Sequence, residues 1–243
     1  MRVPRIYHGS PITAPGSLLL DDRAAHYLRQ VLRLRSGNPI VVFDGRGGEW
    51  QAAITKLDKK SVQLDLQHFT PVDRSGPLTI HLGIGLSRGE RMDWIVQKAT
   101  ELGVRAITPL LTERCEVKLQ GERLTKRMQH WQAVSISACE QCGLNVLPEL
   151  HSPVSSLQWA QQHSADLKLV LHPEAGQDLN PDVTPDSALL AIGPEGGFTD
   201  QEVQQLKTTD FTVLRLGERV LRTETAPLVA LSILQHRWGD LRF

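Results

Sequence analysis

The chain has 243 residues, 40% hydrophobic and 22% charged, which is the profile of a soluble globular protein of one or two domains. Lys plus Arg and Asp plus Glu each total 27, so net charge gives no bulk attraction to nucleic acid, and any such partner must be held by local patches. The first arginines run into Pro, His, Gly and Ser instead of an apolar core, and no run is long enough to span a bilayer, so neither a signal peptide nor a membrane span is expected and the cytoplasm is the expected location.

Between Met1 and Ser36 the basic residues Arg2, Arg5, Arg23, Arg29, Arg33 and Arg35 are opposed only by Asp21 and Asp22. A short helix is predicted from Asp21 to Leu34, with Ala24, Leu28, Val31 and Leu32 on one face and Arg23, Arg29 and Arg33 projecting elsewhere. β-like runs follow at Ile40–Phe43, Glu49–Ile54 and Val62–Leu66. Asp44–Gly48 and Asp58–Ser61 separate them as turns, and the whole reads as a small β-barrel. The polar stretch Thr70–Pro77, with two prolines and a glycine, marks a boundary, giving domains at 1–72 and 73–243.

Past that boundary strands alternate with helices. Strands are predicted at Leu78–Ile84, Ala106–Leu110, Leu167–Leu171, Ala188–Ile192 and Thr212–Leu216, and helices at Met92–Leu102, Leu124–Cys142, Asp200–Lys207 and Thr225–Trp238. This alternation points to an α/β domain with a mainly parallel sheet. Cys139 and Cys142 share a helical face, which reads as packing and not as a redox or zinc pair, since no second such pair exists. Histidines are not clustered at ligand spacing, so no metal site is expected.

Three glycine-bearing or charged loops follow strands. Gly193-Pro194-Glu195-Gly196-Gly197 leads to a helix start at Thr199 or Asp200; it carries neither the Gly-Lys-Ser/Thr phosphate loop nor the dinucleotide fingerprint. Its acid Glu195 would repel a pyrophosphate, so a cationic or neutral ligand fits better. Leu216 to Ala226 combines Gly217, Arg219, Arg222, Thr223, Glu224 and Thr225 ahead of an apolar helix. Because ligands of open α/β sheets sit beyond the carboxyl ends of strands, these loops and Leu171-His172-Pro173 are expected to converge on one site. Ser87-Arg88-Gly89-Glu90-Arg91, with Lys98 on the next helix, is a candidate extension of the basic surface.

On the motifs Ile192-Gly193-Pro194-Glu195-Gly196-Gly197 and Leu216-Gly217-x-Arg219-Val220-Leu221-Arg222-Thr223-Glu224-Thr225-Ala226 the chain resembles the SPOUT superfamily of knotted RNA methyltransferases. More narrowly it is similar to the RsmE family, which methylates uracil N3 in bacterial small-subunit ribosomal RNA; His26-x-x-Arg29, Glu113-Arg114-Cys115 and Cys139–Gly143 recur there too. The resemblance implies an N-terminal PUA-like barrel that grips RNA and a C-terminal α/β domain tied in a trefoil knot. It implies S-adenosylmethionine held by Leu171, His172, Ile192, Gly193, Glu195, Gly196, Gly197, Leu216, Gly217, Val220, Leu221 and Thr225. It also implies a homodimer acting on a uridine of the 16S decoding region, on the assembled 30S subunit.

Within that frame Arg222 is expected to stabilise charge on the uracil and Glu224 to take the N3 proton. Arg2, Arg5, Arg29, Arg33, Lys59, Lys60, Arg88, Arg91 and Lys98 are expected to hold RNA phosphates. The alternatives are a superfamily member acting on another RNA site and a non-catalytic RNA-binding assembly factor.

Overall fold

The computed structural model describes residues 3–117, 119–173, 176, 179 and 183–242. Its contacts define two units, Met1–Ser75 with Cys139–Leu147, and Gly76–Ala138 with Pro148–Phe243. Drawing a single boundary along the chain therefore misses Cys139–Leu147, which belongs with the N-terminal residues.

The first unit holds β1 (Arg5–Tyr7), β2 (Gly16–Leu20), α1 (Asp22–His26), β3 (Pro39–Phe43), β4 (Glu49–Leu57) and β5 (Val62–Thr70). They form one sheet in the order β1-β3-β4-β5-β2, in which only β1 and β3 run parallel. Strict alternation buries Val62, Leu64 and Leu66 and exposes Gln63, Asp65 and Gln67, and register shifts at Gln51/Ala52 and Ile54/Lys56 bend β4 around the core. Ile6, Leu20, Ala24, Ala25, Leu28, Ile40 and Val42 fill that core.

The predicted helix over Asp21–Leu34 is shorter than its apolar pattern suggests. Asp21 caps α1 by accepting from Ala24 N–H at 3.0 Å, but Tyr27–Val31 continue as a π-turn in which Leu32 N–H reaches Tyr27 O at 3.0 Å. The wider turn shifts the phase of the face, so Val31 is 58% exposed instead of buried, and Arg33 at φ 54 ends the segment. The sequence carries no clear signal for β1, only three residues long, or for β2, which opens on Gly16 directly after Pro15.

Arg5 also departs from expectation. It is 7% exposed, its Nη1 donates to Glu49 Oε2 at 2.7 Å, and its guanidinium lies over the Phe43 ring, so it is a core anchor and not a phosphate contact. Arg74 completes the anchor with bonds of 2.7 and 3.0 Å to Glu49. These two cations hold the Glu49 carboxyl at about 2: the Arg74 hydrogen bond lowers it most, and together with Arg5 it overcomes the upward push of burial. Cys139–Leu147 joins this unit through Glu140, which accepts from Tyr7 N–H and Arg23, and through Asn145, which bonds Gly48 O, Val72 O and Arg74 N–H. Cys139 is buried, and that burial raises its thiol to about 12, in keeping with a packing role.

The second unit comprises β6 (Thr79–Gly85), α2 (Arg91–Glu101), β7 (Ala106–Leu111), most of α3 (Gly121–Cys142), β8 (Glu149–Leu150), β9 (Val154–Ser155), α4 (Ser156–Gln162), β10 (Leu167–Leu171), β11 (Ser187–Ile192), α5 (Asp200–Lys207), β12 (Thr212–Leu214) and α6 (Thr225–Trp238). Its sheet is parallel throughout, ordered β12-β10-β11-β6-β7-β8, with β9 also paired to β7. Such a sheet must be covered on both faces. Ala188, Leu190 and Ile192 of β11 accordingly pack with α2, α3 and α6, while Leu189 and Ala191 pack with α4 and α5. Every strand and helix predicted for this unit is present; α4, β8 and β9 are additional, each too short to carry a periodic signal.

Candidate active site

The loops after β10, β11 and β12 surround a cleft of about 410 Å³. Of the twelve residues expected at the cofactor, the cleft lining includes Leu171, His172, Ile192, Gly193, Glu195, Gly196, Gly197, Leu216, Gly217, Val220 and Leu221; Thr225 lies just outside it, as the first residue of α6. Val220 is 80% exposed, an apolar side chain presented to the cleft with nothing packed over it.

The glycine loop is built by close approach. A Cβ on Gly85, at the end of β6, would collide with Pro194 N, so only glycine lets β6 pass under the loop. Gly197 N–H closes a turn onto Pro194 O at 2.8 Å. The loop then enters α5 through a full capping box between Thr199 and Glu202, whose other oxygen takes Glu113 N–H at 3.0 Å.

Glu195 does not offer its charge freely to the cleft. It accepts from Arg91 Nη1 at 2.7 Å and from Arg88 N–H at 3.2 Å. Burial pushes its carboxyl upward, but its own backbone N–H, Arg91 and Arg88 N–H outweigh that and hold it below the ordinary carboxylate range. Arg91 also stands 3.7 Å from Glu224 Oε2, so one guanidinium links the glycine loop to the start of α6. Glu224 is half-buried beside that cation. Arg222 is exposed and outside the lining, and its carbonyl starts α6 by accepting from Thr225 and Ala226 N–H.

The cations expected to meet RNA divide into two sets. In the first unit Arg29 is half-buried, Arg33, Lys59 and Lys60 are exposed, and Arg2 lies outside the described residues. In the second unit Arg88 pairs with Glu116 at 2.5 Å, Arg91 with Glu195, and Lys98 with Glu101 at 2.8 Å, so each of these three is charge-compensated.

Sequence reading gave Arg114 no role beyond its place in the recurring Glu113-Arg114-Cys115 motif. It lines the cleft and also an adjoining open cavity formed with Arg88, Arg91, Glu113, Cys115, Glu116, Glu195 and Gly196. It also missed a histidine cluster. His81, His151 and His163, far apart in sequence, bring ring nitrogens within 4.8 Å of one another, contrary to the expectation that histidines do not cluster. Trp159 Nε1–H donates to His81 Nε2 at 3.1 Å, which uses the lone pair a metal would need there. Burial, then His163 and His151, push His81 down to about 3, so that ring packs uncharged within β6.

The fold and cleft define a methyltransferase of the RNA-modifying class: residues 74–235 match the family model described as an RNA methyltransferase domain, and 20–67 match the RNA methyltransferase PUA domain. A ribosomal RNA small subunit methyltransferase E from Buchnera aphidicola is 32% identical over 99% of this chain and 98% of its own length; another, from Synechocystis, is 36% identical over 89% and 72%. Among solved structures, a putative methyltransferase from Legionella pneumophila with bound SAM superposes with TM-score 0.94 at 42% identity, covering 99% of this chain and 100% of that one. A ribosomal RNA small subunit methyltransferase E from Neisseria gonorrhoeae bound to S-adenosyl methionine gives 0.91 at 36%, with 99% and 100% covered. The chain belongs to the ribosomal RNA small subunit methyltransferase E family, and its second unit is an α/β methyltransferase domain preceded by a PUA-like one.

Proposed function

We propose that the chain methylates N3 of a uridine in the decoding region of 16S ribosomal RNA, using S-adenosylmethionine and acting on the assembled 30S subunit as a cytoplasmic homodimer. The observation that carries this reading is the cleft beyond β10, β11 and β12, where ligands of open α/β sheets bind. Its donor set fits the cofactor. Leu171, Ile192, Leu216, Val220 and Leu221 offer apolar surface to a nucleoside, and the Gly193–Gly197 backbone offers polar groups at close range. When bound, the cofactor supplies an electrophilic methyl group on a cationic sulfur.

The chain's own residues position and protect. Arg91 keeps Glu195 and the glycine loop in register with the start of α6, so the two walls of the cleft are held together before a ligand arrives. Glu224, joined to that network, is the better placed of the two residues expected at the chemistry and is the candidate acceptor of the N3 proton. Uracil N3 is a Watson–Crick donor, so the base must leave its pairing partner before it can be reached. Exposed Arg33, Lys59 and Lys60, with half-buried Arg29, supply phosphate contacts that position RNA without reading sequence.

The test is transfer of label from S-adenosylmethionine to small subunits or free 16S RNA from cells lacking the modification. Label in the RNA supports the reading, and no label in either substrate overturns it.

A further inference from the structure

We infer that Arg114 is the cation that receives the negative charge of the acceptor base, and that the open cavity beside the cleft, between Ser87–Arg91 and Glu113–Glu116, is where that base sits. The inference rests on the methyl-transfer reading above. Removing the N3 proton leaves an electron pair spread over N3 and the two carbonyl oxygens of uracil. A fixed guanidinium facing those oxygens stabilises the anion more than the neutral base. The proton passes to Glu224, the acceptor proposed above, and the guanidinium itself stays protonated throughout.

The neighbouring cations are already committed. Arg88 is paired with Glu116, and Arg91 is shared by Glu195 and Glu224. Arg114 pairs with no carboxylate among the described residues, and it lines both the cofactor cleft and the adjoining cavity, the position required of a group that meets a base presented to the cofactor. Its Nη1 donates to Gly196 O at 2.9 Å and Phe198 O at 3.3 Å, leaving its Nε and Nη2 hydrogens without a bond among the described residues.

Its placement is built into the loops on either side. Glu113 N–H is held by Glu202 and Cys115 N–H by Thr112 O, which fix the backbone around it. A Cβ at Gly196 would stand 2.9 Å from Arg114 Cβ and 3.4 Å from its Cδ, so the glycine is what lets the arginine lie against the loop. The anchored end of the guanidinium limits the rotamer freedom lost when a base arrives.

Arg114→Gln and Arg114→Lys in the full chain test the assignment. For Arg114→Gln we expect kcat to fall about 10²–10³-fold, with KM for the RNA and the Kd for S-adenosylmethionine changed less than about 3-fold. The limb on which kcat rises with pH should move to higher pH, and Arg114→Lys should recover part of the loss. Without cofactor present, an RNA fragment whose target is 5-fluorouridine, a more acidic base, should bind the wild type more tightly as pH rises and lose that gain in Arg114→Gln. An unimpaired Arg114→Gln, or a rise in cofactor Kd as large as the fall in kcat, overturns the assignment, the second outcome making Arg114 a prop for the glycine loop. A wild-type chain that transfers no methyl group overturns the underlying reading and this assignment with it.

Discussion

Glu49→Gln perturbs the ionic anchor of the first unit and gives a stability effect whose size and pH dependence follow from geometry. Glu49 is 8% exposed and takes bonds of 2.7 Å from Arg5 and of 2.7 and 3.0 Å from Arg74. Its carboxyl is held at about 2 against an ordinary 4.5, and at 1.36 kcal/mol per unit this corresponds to roughly 3 kcal/mol. Arg74 is half-exposed, with a side-chain exposure of 45%, so solvent screening reduces that to about 2 kcal/mol. Because the folded value is depressed, the contribution is complete above pH about 4.5 and disappears as pH falls through about 2. Glutamine keeps the shape but leaves Arg5 buried without a counter-charge, so at pH 7 urea unfolding followed by circular dichroism should show a loss of about 2 kcal/mol or slightly more. At pH 3 the difference between variant and wild type should shrink by more than half. A loss under about 0.5 kcal/mol at pH 7, or an equal loss at both pH values, would show that the charge of Glu49 does not anchor the two arginines.

Burial holds His81 neutral in the folded chain, so its contribution to stability is full above pH 6.5 and lost as pH falls toward about 3; its ring resonances should not titrate between pH 8 and 5, and a midpoint near 6.5 would contradict this. Gly85→Ala forces the backbone away from Pro194 and should weaken S-adenosylmethionine binding by at least about 10-fold in calorimetry while the circular dichroism spectrum persists; unchanged affinity would show that the loop does not depend on this contact. Asn145→Ala removes bonds to Gly48 O, Val72 O and Arg74 N–H and should cost about 2 kcal/mol in urea unfolding, with a loss below about 0.5 kcal/mol showing that water replaces them.

Most strands and helices were legible because apolar runs such as Ala188–Ile192 and the face Met92, Ile95, Val96 and Ala99 carry period and length together. The cleft was legible for the same reason, since its loops follow strands that line up in parallel, and glycine loops mark where backbone must approach something. What pairing does to a charge was not legible. Arg5 and Lys98 read as surface cations like Arg33, yet one is buried against Glu49 and the other bound to Glu101. Glu195 read as a charge facing a ligand, and its partner Arg91 lies more than a hundred positions away, where no local pattern reports it. The histidine cluster and the place of Arg114 between two cavities arise the same way, from segments that the fold brings together and that are separated along the chain. The π-turn at Tyr27–Val31 left no signature, because its residues are ordinary helix formers and only the hydrogen-bond register changes.

Presentation of S-adenosylmethionine by the cleft to N3 of a uridine fixes where the methyl group arrives. Its most direct measurement is nucleoside mass spectrometry of 16S RNA, recovered after incubating unmodified small subunits with the protein and the cofactor, followed by mapping of the modified position. We predict a single N3-methyluridine in the decoding region, present with the wild type and absent without cofactor. Methylation at another atom or another nucleotide, or none at all, would contradict the account.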